Sequence, residues 1–133
     1  MLIKWSRGKA PDHVARHFGL SEFECKCGKC IDQMIDSELL DRLDRLRDTI
    51  GGAIIIHSGF RCADHNAAVG GETDSRHMSG LAADIFAPSI SIEELQKLVE
   101  PLFQRIGVAS TFIHVDVDKG KAFWTYPIGG KNG

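Results

Sequence analysis

Ser75-Arg76-His77-Met78-Ser79-Gly80-Leu81-Ala82-Ala83-Asp84-Ile85-Phe86-Ala87 carries the chain out of a loop and into a strand, and its reading decides the fold. The residues just before it, Gly70-Gly71-Glu72-Thr73-Asp74, are turn formers, whereas Ala82 to Ala87 reads as a short strand. His77 and Asp84 therefore flank a loop-to-strand corner and do not share a helix face. Further on, Phe112-Ile113-His114-Val115-Asp116-Val117-Asp118 alternates without a break. Strand side chains repeat every two residues, so Ile113, Val115 and Val117 share one face and His114, Asp116 and Asp118 the other.

Two imidazoles and a carboxylate suit zinc. A catalytic zinc takes three protein ligands from His, Asp or Glu and keeps its fourth position open. His77, Asp84 and His114 are the expected three. Asp116, on the strand face of His114, is placed to accept a proton from the attacking water. Each feature alone has a bland reading: a His beside a Gly-rich loop is usually a surface or hydrogen-bonding group, and alternating charge on a strand is usually a wetted face. Their conjunction with the segment upstream outweighs both.

That segment is Ile54-Ile55-Ile56-His57-Ser58-Gly59-Phe60-Arg61-Cys62-Ala63-Asp64-His65-Asn66, running on to Gly70-Gly71. With Ser75-Arg76-His77, Gly80-Leu81-Ala82-Ala83-Asp84 and His114-Val115-Asp116, and with Phe18-Gly19-Leu20-Ser21-Glu22-Phe23 upstream, it resembles a known family. These are the zinc peptidases that include D-alanyl-D-alanine carboxypeptidases and phage L-alanyl-D-glutamate endopeptidases (endolysins), whose fold is shared with the hedgehog signalling domain. The resemblance spans roughly residues 18 to 117. It implies an α+β, hedgehog/DD-peptidase-like fold: a small, mainly antiparallel sheet flanked by helices, with a zinc cleft on one face. It further implies a peptide of the bacterial cell wall as substrate, cut at a bond involving a D-residue, and leaves the choice of bond open.

Roles follow as expectations. Zinc at His77, Asp84 and His114 activates water near neutral pH. Asp116 moves the proton, and Arg61 stabilises the oxyanion or grips a substrate carboxylate. Ser75 hydrogen-bonds substrate or orients His77, and Asn66 lies near the site as a substrate contact. Phe60 stands where Tyr is common, and His57 where Asn or Asp is. No acid occupies positions 110 to 113, where some members place theirs, so Asp116 inherits the base role by default and Asp118 is next in line. A non-catalytic zinc-containing module of the same fold, binding cell wall or protein, is the alternative. A small cysteine-zinc adaptor for nucleic acid or protein is a third reading.

The whole chain, 133 residues, is read as a single peptidase domain, with an N-terminal extension over about 1–17 and a loose tail over about 129–133. A net charge of −2 and a pI near 6.3 argue against an electrostatic nucleic-acid binder. No apolar run reaches membrane length, and the first residues lack the apolar core of a secretory signal. The expectation is a monomer made in the cytoplasm and delivered to the wall by another route.

Leu39, Leu43, Leu46 and Ile50 predict an amphipathic helix capped by Asp36 or Ser37 and stopped by Gly51-Gly52. Short helices are expected from Pro11 to Phe18 and from Ala63 to Val69, and a strand from Ala53 to His57. Ser91 with Glu94 forms a capping box for a helix towards Gln104, which Pro101 should end early. Cys25, Cys27, Cys30 and Cys62 admit three readings at this point: a structural zinc site, disulfides, or free buried thiols. His13 and His17 lie four apart without the acid a zinc helix motif needs. Trp5, Trp124 and Tyr126 either line a groove or cover the core edge.

Overall fold

The computed structural model describes residues 1–127. In chain order it contains β1 (Leu2–Ser6), β2 (Asp32–Asp36), α1 (Ser37–Ile50), β3 (Ile55–Ser58), α2 (Ala63–Ala68), β4 (Ala82–Phe86), α3 (Ile92–Val99), β5 (Arg105–Val108), β6 (Ile113–Asp116) and β7 (Ala122–Thr125). Two 3-10 turns, Leu20–Phe23 and Arg76–Ser79, lie between them. β1 and β2 pair antiparallel; the remaining strands form one sheet in the order β3-β4-β6-β5-β7, antiparallel except for the β5–β7 pair. The α+β, mainly antiparallel architecture expected from the sequence is the one observed.

Local chemistry explains the helix ends. Asp36 accepts the Glu38 amide at 2.8 Å to start α1, and Gly51, with φ 68°, closes it in the left-handed region. Ser91 accepts the Glu94 amide to start α3, which stops at Val99, ahead of Pro101. Strand parity then divides the sheet. Ile56 pairs with Ile85 and Ile85 with Ile113, so one aliphatic row crosses β3, β4 and β6. That row shares a core with Leu39, Leu43 and Leu46 of α1 and Leu95 and Val99 of α3. Burying each such side chain stabilises the fold by about 1.5–3 kcal/mol. Because side chains alternate, the opposite face of the same strands is left to polar residues.

The helix expected from Pro11 to Phe18 does not form. His13 adopts φ 59°, and the amides of Arg16 and His17 are both accepted at 3.0 Å by Asp44, a buried carboxylate on α1. A side chain from another element has taken the hydrogen bonds a helix would have used, and local spacing carries no sign of it. The stretch read as an N-terminal extension contributes β1, whose Trp5 enters the core and donates to Glu24 Oε2 at 2.8 Å. The tail read over 129–133 lies outside the described residues.

Candidate metal centre

Register builds the centre. Ser58 lies opposite Asp84, Asp84 opposite His114, His114 opposite Gly107, and Gly107 opposite Trp124, so one transverse row crosses all five strands. Directly opposed residues bring their Cβ atoms to about 4.5–5.5 Å, which sets Asp84 against His114 without help from any loop. His77 joins them from the 3-10 turn that Ser75 opens by accepting the His77 amide at 3.2 Å.

Each imidazole has an acceptor at both of its nitrogens, and a cation bound at the inner nitrogen selects the tautomer protonated at the outer one. His77 Nδ1 lies 2.8 Å from the Gly59 carbonyl, to which that tautomer donates. His114 Nε2 lies 2.8 Å from Asp116 Oδ2, with the same consequence. The other nitrogens, His77 Nε2 and His114 Nδ1, each stand 3.1 Å from one atom, Asp84 Oδ1. In the neutral tautomers two lone pairs and a carboxylate oxygen converge. The three donor atoms lie within 4.8 Å of one another, and all three residues are buried. With the ring protons on the outer nitrogens, such a set fits a divalent cation. Two imidazoles with one carboxylate are the donor chemistry of a zinc site with one position left open.

Electrostatics follow from burial and pairing. Burial works to raise the Asp84 carboxyl, but His77 and His114 outweigh it and hold the group below the usual carboxylate range. Burial pushes the His77 imidazole down. It opposes charge on His114 as well, yet the bonds to Asp116 and Asp84 prevail and that imidazole is raised.

Arg61, Asn66 and Ser75 are all buried around the centre. Arg61 is only 1% exposed. Its Nε donates to Ser58 Oγ at 3.0 Å, Nη1 to Asn66 Oδ1 at 3.1 Å and Nη2 to Asp84 Oδ2 at 3.2 Å. The guanidinium thus sits behind the centre and takes the far oxygen of Asp84, leaving Oδ1 to the histidines. Asn66, also buried, passes the restraint on by donating to the Glu72 carbonyl at 2.8 Å. Gly71 makes this packing possible, since a Cβ there would stand 2.2 Å from Asn66 Oδ1. Ser75 is buried too and serves the His77 backbone.

Asp116 faces the centre on the strand side expected, but both its oxygens are engaged. Oδ2 meets His114; Oδ1 accepts from Arg105 Nε at 2.7 Å and from the Asp118 amide at 3.1 Å. Asp118, beyond it, pairs with Arg76 at 3.0 Å and keeps about a third of its side chain exposed. The Gly59 carbonyl, Ser58 and Arg105 were given no role from the sequence. Strand parity alone would set Ser58 on the core face of Ile56; a register shift between Ile56 and Ser58 turns it to the Asp84 row, and the other two depend on pairing between distant segments.

Aromatic rings wall one side. Trp124 stands 5.1 Å from His114, and Tyr126 stands 6.4 Å from Trp124 and 5.4 Å from Phe112, ring centre to ring centre. Gly107 is the reason Trp124 reaches so far: a Cβ at that position would lie 2.4 Å from the indole.

An α+β fold whose sheet presents a buried His-Asp-His donor set on its polar face defines a metal-binding type of centre. The chain belongs to the Peptidase M15 family, whose model matches residues 16–116 and so takes in all three donors, Arg61 and Asp116. Peptidases of this family are zinc-dependent, in keeping with the donor set. No curated protein matches the chain.

Proposed function

We propose that this M15 peptidase hydrolyses peptide bonds of bacterial cell-wall peptidoglycan, as a carboxypeptidase or an endopeptidase acting beside a D-residue. The observation that carries the hydrolytic reading is the convergence of His77 Nε2, His114 Nδ1 and Asp84 Oδ1, each held by a partner on its far side. The wall-directed reading is supported by the Ser58-Gly59-Phe60-Arg61, Ser75-Arg76-His77 and His114-Val115-Asp116 motifs.

When bound, zinc supplies Lewis acidity, polarising the scissile carbonyl and making water a usable nucleophile near neutral pH. The protein's part is preorganisation. The Gly59 carbonyl holds the His77 proton at Nδ1, and Asp116 holds the His114 proton at Nε2. Arg61 holds Asp84 Oδ2, so that Oδ1 faces the histidines. Trp124 and Tyr126 limit solvent on one flank. With both oxygens engaged, Asp116 is assigned the orientation of His114 and not the proton transfer first expected of it. Asp118, just past the end of β6, also has both oxygens engaged, by Arg76 Nε at 3.0 Å and the Lys119 amide at 2.8 Å, but a third of its side chain is exposed and these partners can yield to solvent, so it takes over as the candidate base.

The test is a digest of purified peptidoglycan by the wild type and by His77→Ala, with the released ends identified by mass. The wild type should release new peptide termini, and the variant should fall by at least about a thousandfold, since the metal contributes several kcal/mol to the barrier. Intact wall after prolonged incubation with zinc-loaded wild type sinks the substrate assignment.

A further inference from the structure

Four cysteines remain outside the peptidase centre. Cys25, Cys27 and Cys30 lie in the loop between the first 3-10 turn and β2, and Cys62 is the N-cap of α2. We propose that they form a second zinc site, closed and structural, which clips the N-terminal loop to the back of the peptidase centre.

Distances favour a metal over the competing states. Cys62 Sγ lies 3.8 Å from Cys25 Sγ and 4.0 Å from Cys27 Sγ, and the four sulfurs all fall within 4.8 Å of one another. A disulfide needs its sulfurs at about 2.05 Å. Zinc–sulfur bonds of about 2.3 Å give a tetrahedral edge of about 3.8 Å, the spacing found here. Four thiols in van der Waals contact have no reason of their own to gather, whereas four thiolates around one cation do.

The surroundings are built for thiolates. Every sulfur faces an N–H donor: Cys25 Sγ the Cys62 amide at 3.4 Å, and Cys62 Sγ the His65 amide at 3.4 Å. Cys27 Sγ accepts from the amides of Lys29 at 3.4 Å and Cys30 at 3.3 Å, in a tight turn that Gly28 permits with φ 75°. Cys30 Sγ meets Gln33 Nε2 at 3.3 Å and Arg7 Nη2 at 3.5 Å. Gln33 is 1% exposed and uses its Oε1 to accept the Cys25 amide at 2.7 Å, so a buried polar side chain is devoted to shaping this loop. Arg7 also donates to the Cys25 and Cys30 carbonyls, placing a permanent positive charge beside a cluster that stays net negative around a divalent ion. The four-sulfur set leaves no open coordination position, which suits a structural role.

The position of the clip gives it a purpose. Cys62 follows Arg61, the residue that anchors Asp84, so tying Cys62 to the Cys25–Cys30 loop fixes the rear wall of the peptidase centre across 37 residues of chain.

The decisive measurement uses the His77→Ala/His114→Ala variant, which lacks the peptidase donors, so its metal content reports the cysteines alone. One zinc per chain is expected there and two in the wild type, by elemental analysis. Cobalt substitution of the variant should give intense tetrahedral absorption with thiolate-to-metal charge transfer, and a thiol-titrating mercurial should release the zinc. Cys27→Ala/Cys62→Ala should lose one zinc and melt at a lower temperature. Zinc-free His variant with four thiols alkylated under native conditions overturns the proposal. So do a mass deficit showing disulfides and iron in place of zinc. If the Cys variant fails to fold, the cobalt spectrum of the His variant still decides. None of these readouts depends on wall digestion, so this site and the peptidase assignment stand or fall separately.

Discussion

The His77, Asp84 and His114 centre draws its donors chiefly from a sheet, whereas Cys25, Cys27, Cys30 and Cys62 meet where a loop and a helix terminus converge. In the first, cross-strand register has already fixed two donors side by side, and buried partners lock each ring and carboxylate in orientation. In the second, the backbone between the ligands is largely irregular, and backbone amides together with Arg7 and Gln33 aim at the sulfurs. A mixed nitrogen and oxygen set of three leaves room for chemistry; a sulfur set of four closes on its ion. Rigidity built into a sheet suits catalysis, and a metal that supplies rigidity suits a loop.

Arg61 joins the two regions, and removing it should have the largest effect. Arg61→Met leaves Asp84 buried without its cation, a loss of about 3–5 kcal/mol in the metal-free protein. Zinc at the centre compensates the stranded carboxylate, so urea unfolding with and without zinc should show a smaller loss in the loaded form. Equal losses in both forms break the picture of Arg61 as support for Asp84.

Asp116→Asn comes next and sharpens the division between holding a ligand and moving a proton. As the group that orients His114, Asp116 should cost about 10–100-fold in zinc affinity on substitution, with turnover largely recovered at saturating zinc. Unchanged affinity with turnover lost would instead return the base role to Asp116.

The smallest effect is at the surface, far from both clusters. Asp48 pairs with Arg16 at 2.8 Å and His17 at 2.6 Å, and these partners draw its carboxyl down to about 2. Because the folded value is depressed, the stabilisation is present above the unfolded carboxylate value of about 3.9 and is lost as pH falls through about 2. The gap in melting temperature between wild type and Asp48→Asn should therefore be full at pH 5, shrink through pH 3 and vanish near pH 2, and salt should narrow it. A gap that persists at pH 2 points to packing and not to charge.

Legibility in the sequence tracked the range of the interactions. α1 and α3 were readable because their caps and apolar spacing are local, and β6 because alternation of Ile113 to Val117 is local too. The Pro11–Phe18 segment was misread because Asp44, on another element, accepts its amides. β1 and β2 went unread: a paired two-stranded ribbon depends on a partner some thirty positions away. Within the centre, the residue types at 77, 84 and 114 announced a metal. The directions in which Arg61 and Asn66 point did not follow from their motifs, since residues that approach a site from behind and from in front carry the same letters.

The sequence alone determined which residues could bind a metal, the helix boundaries set by caps and glycines, and the strand faces set by parity. All of these rest on the chemistry of a side chain or on a repeat of a few residues. Tertiary structure alone decided that Ser58, Asp84, His114, Gly107 and Trp124 form one row, that Asp116 is pinned by Arg105, and that Cys62 meets the cysteines of a distant loop. Those facts come from register between strands and closure of long loops, and the free energy that fixes them belongs to pairs of segments that no local window contains.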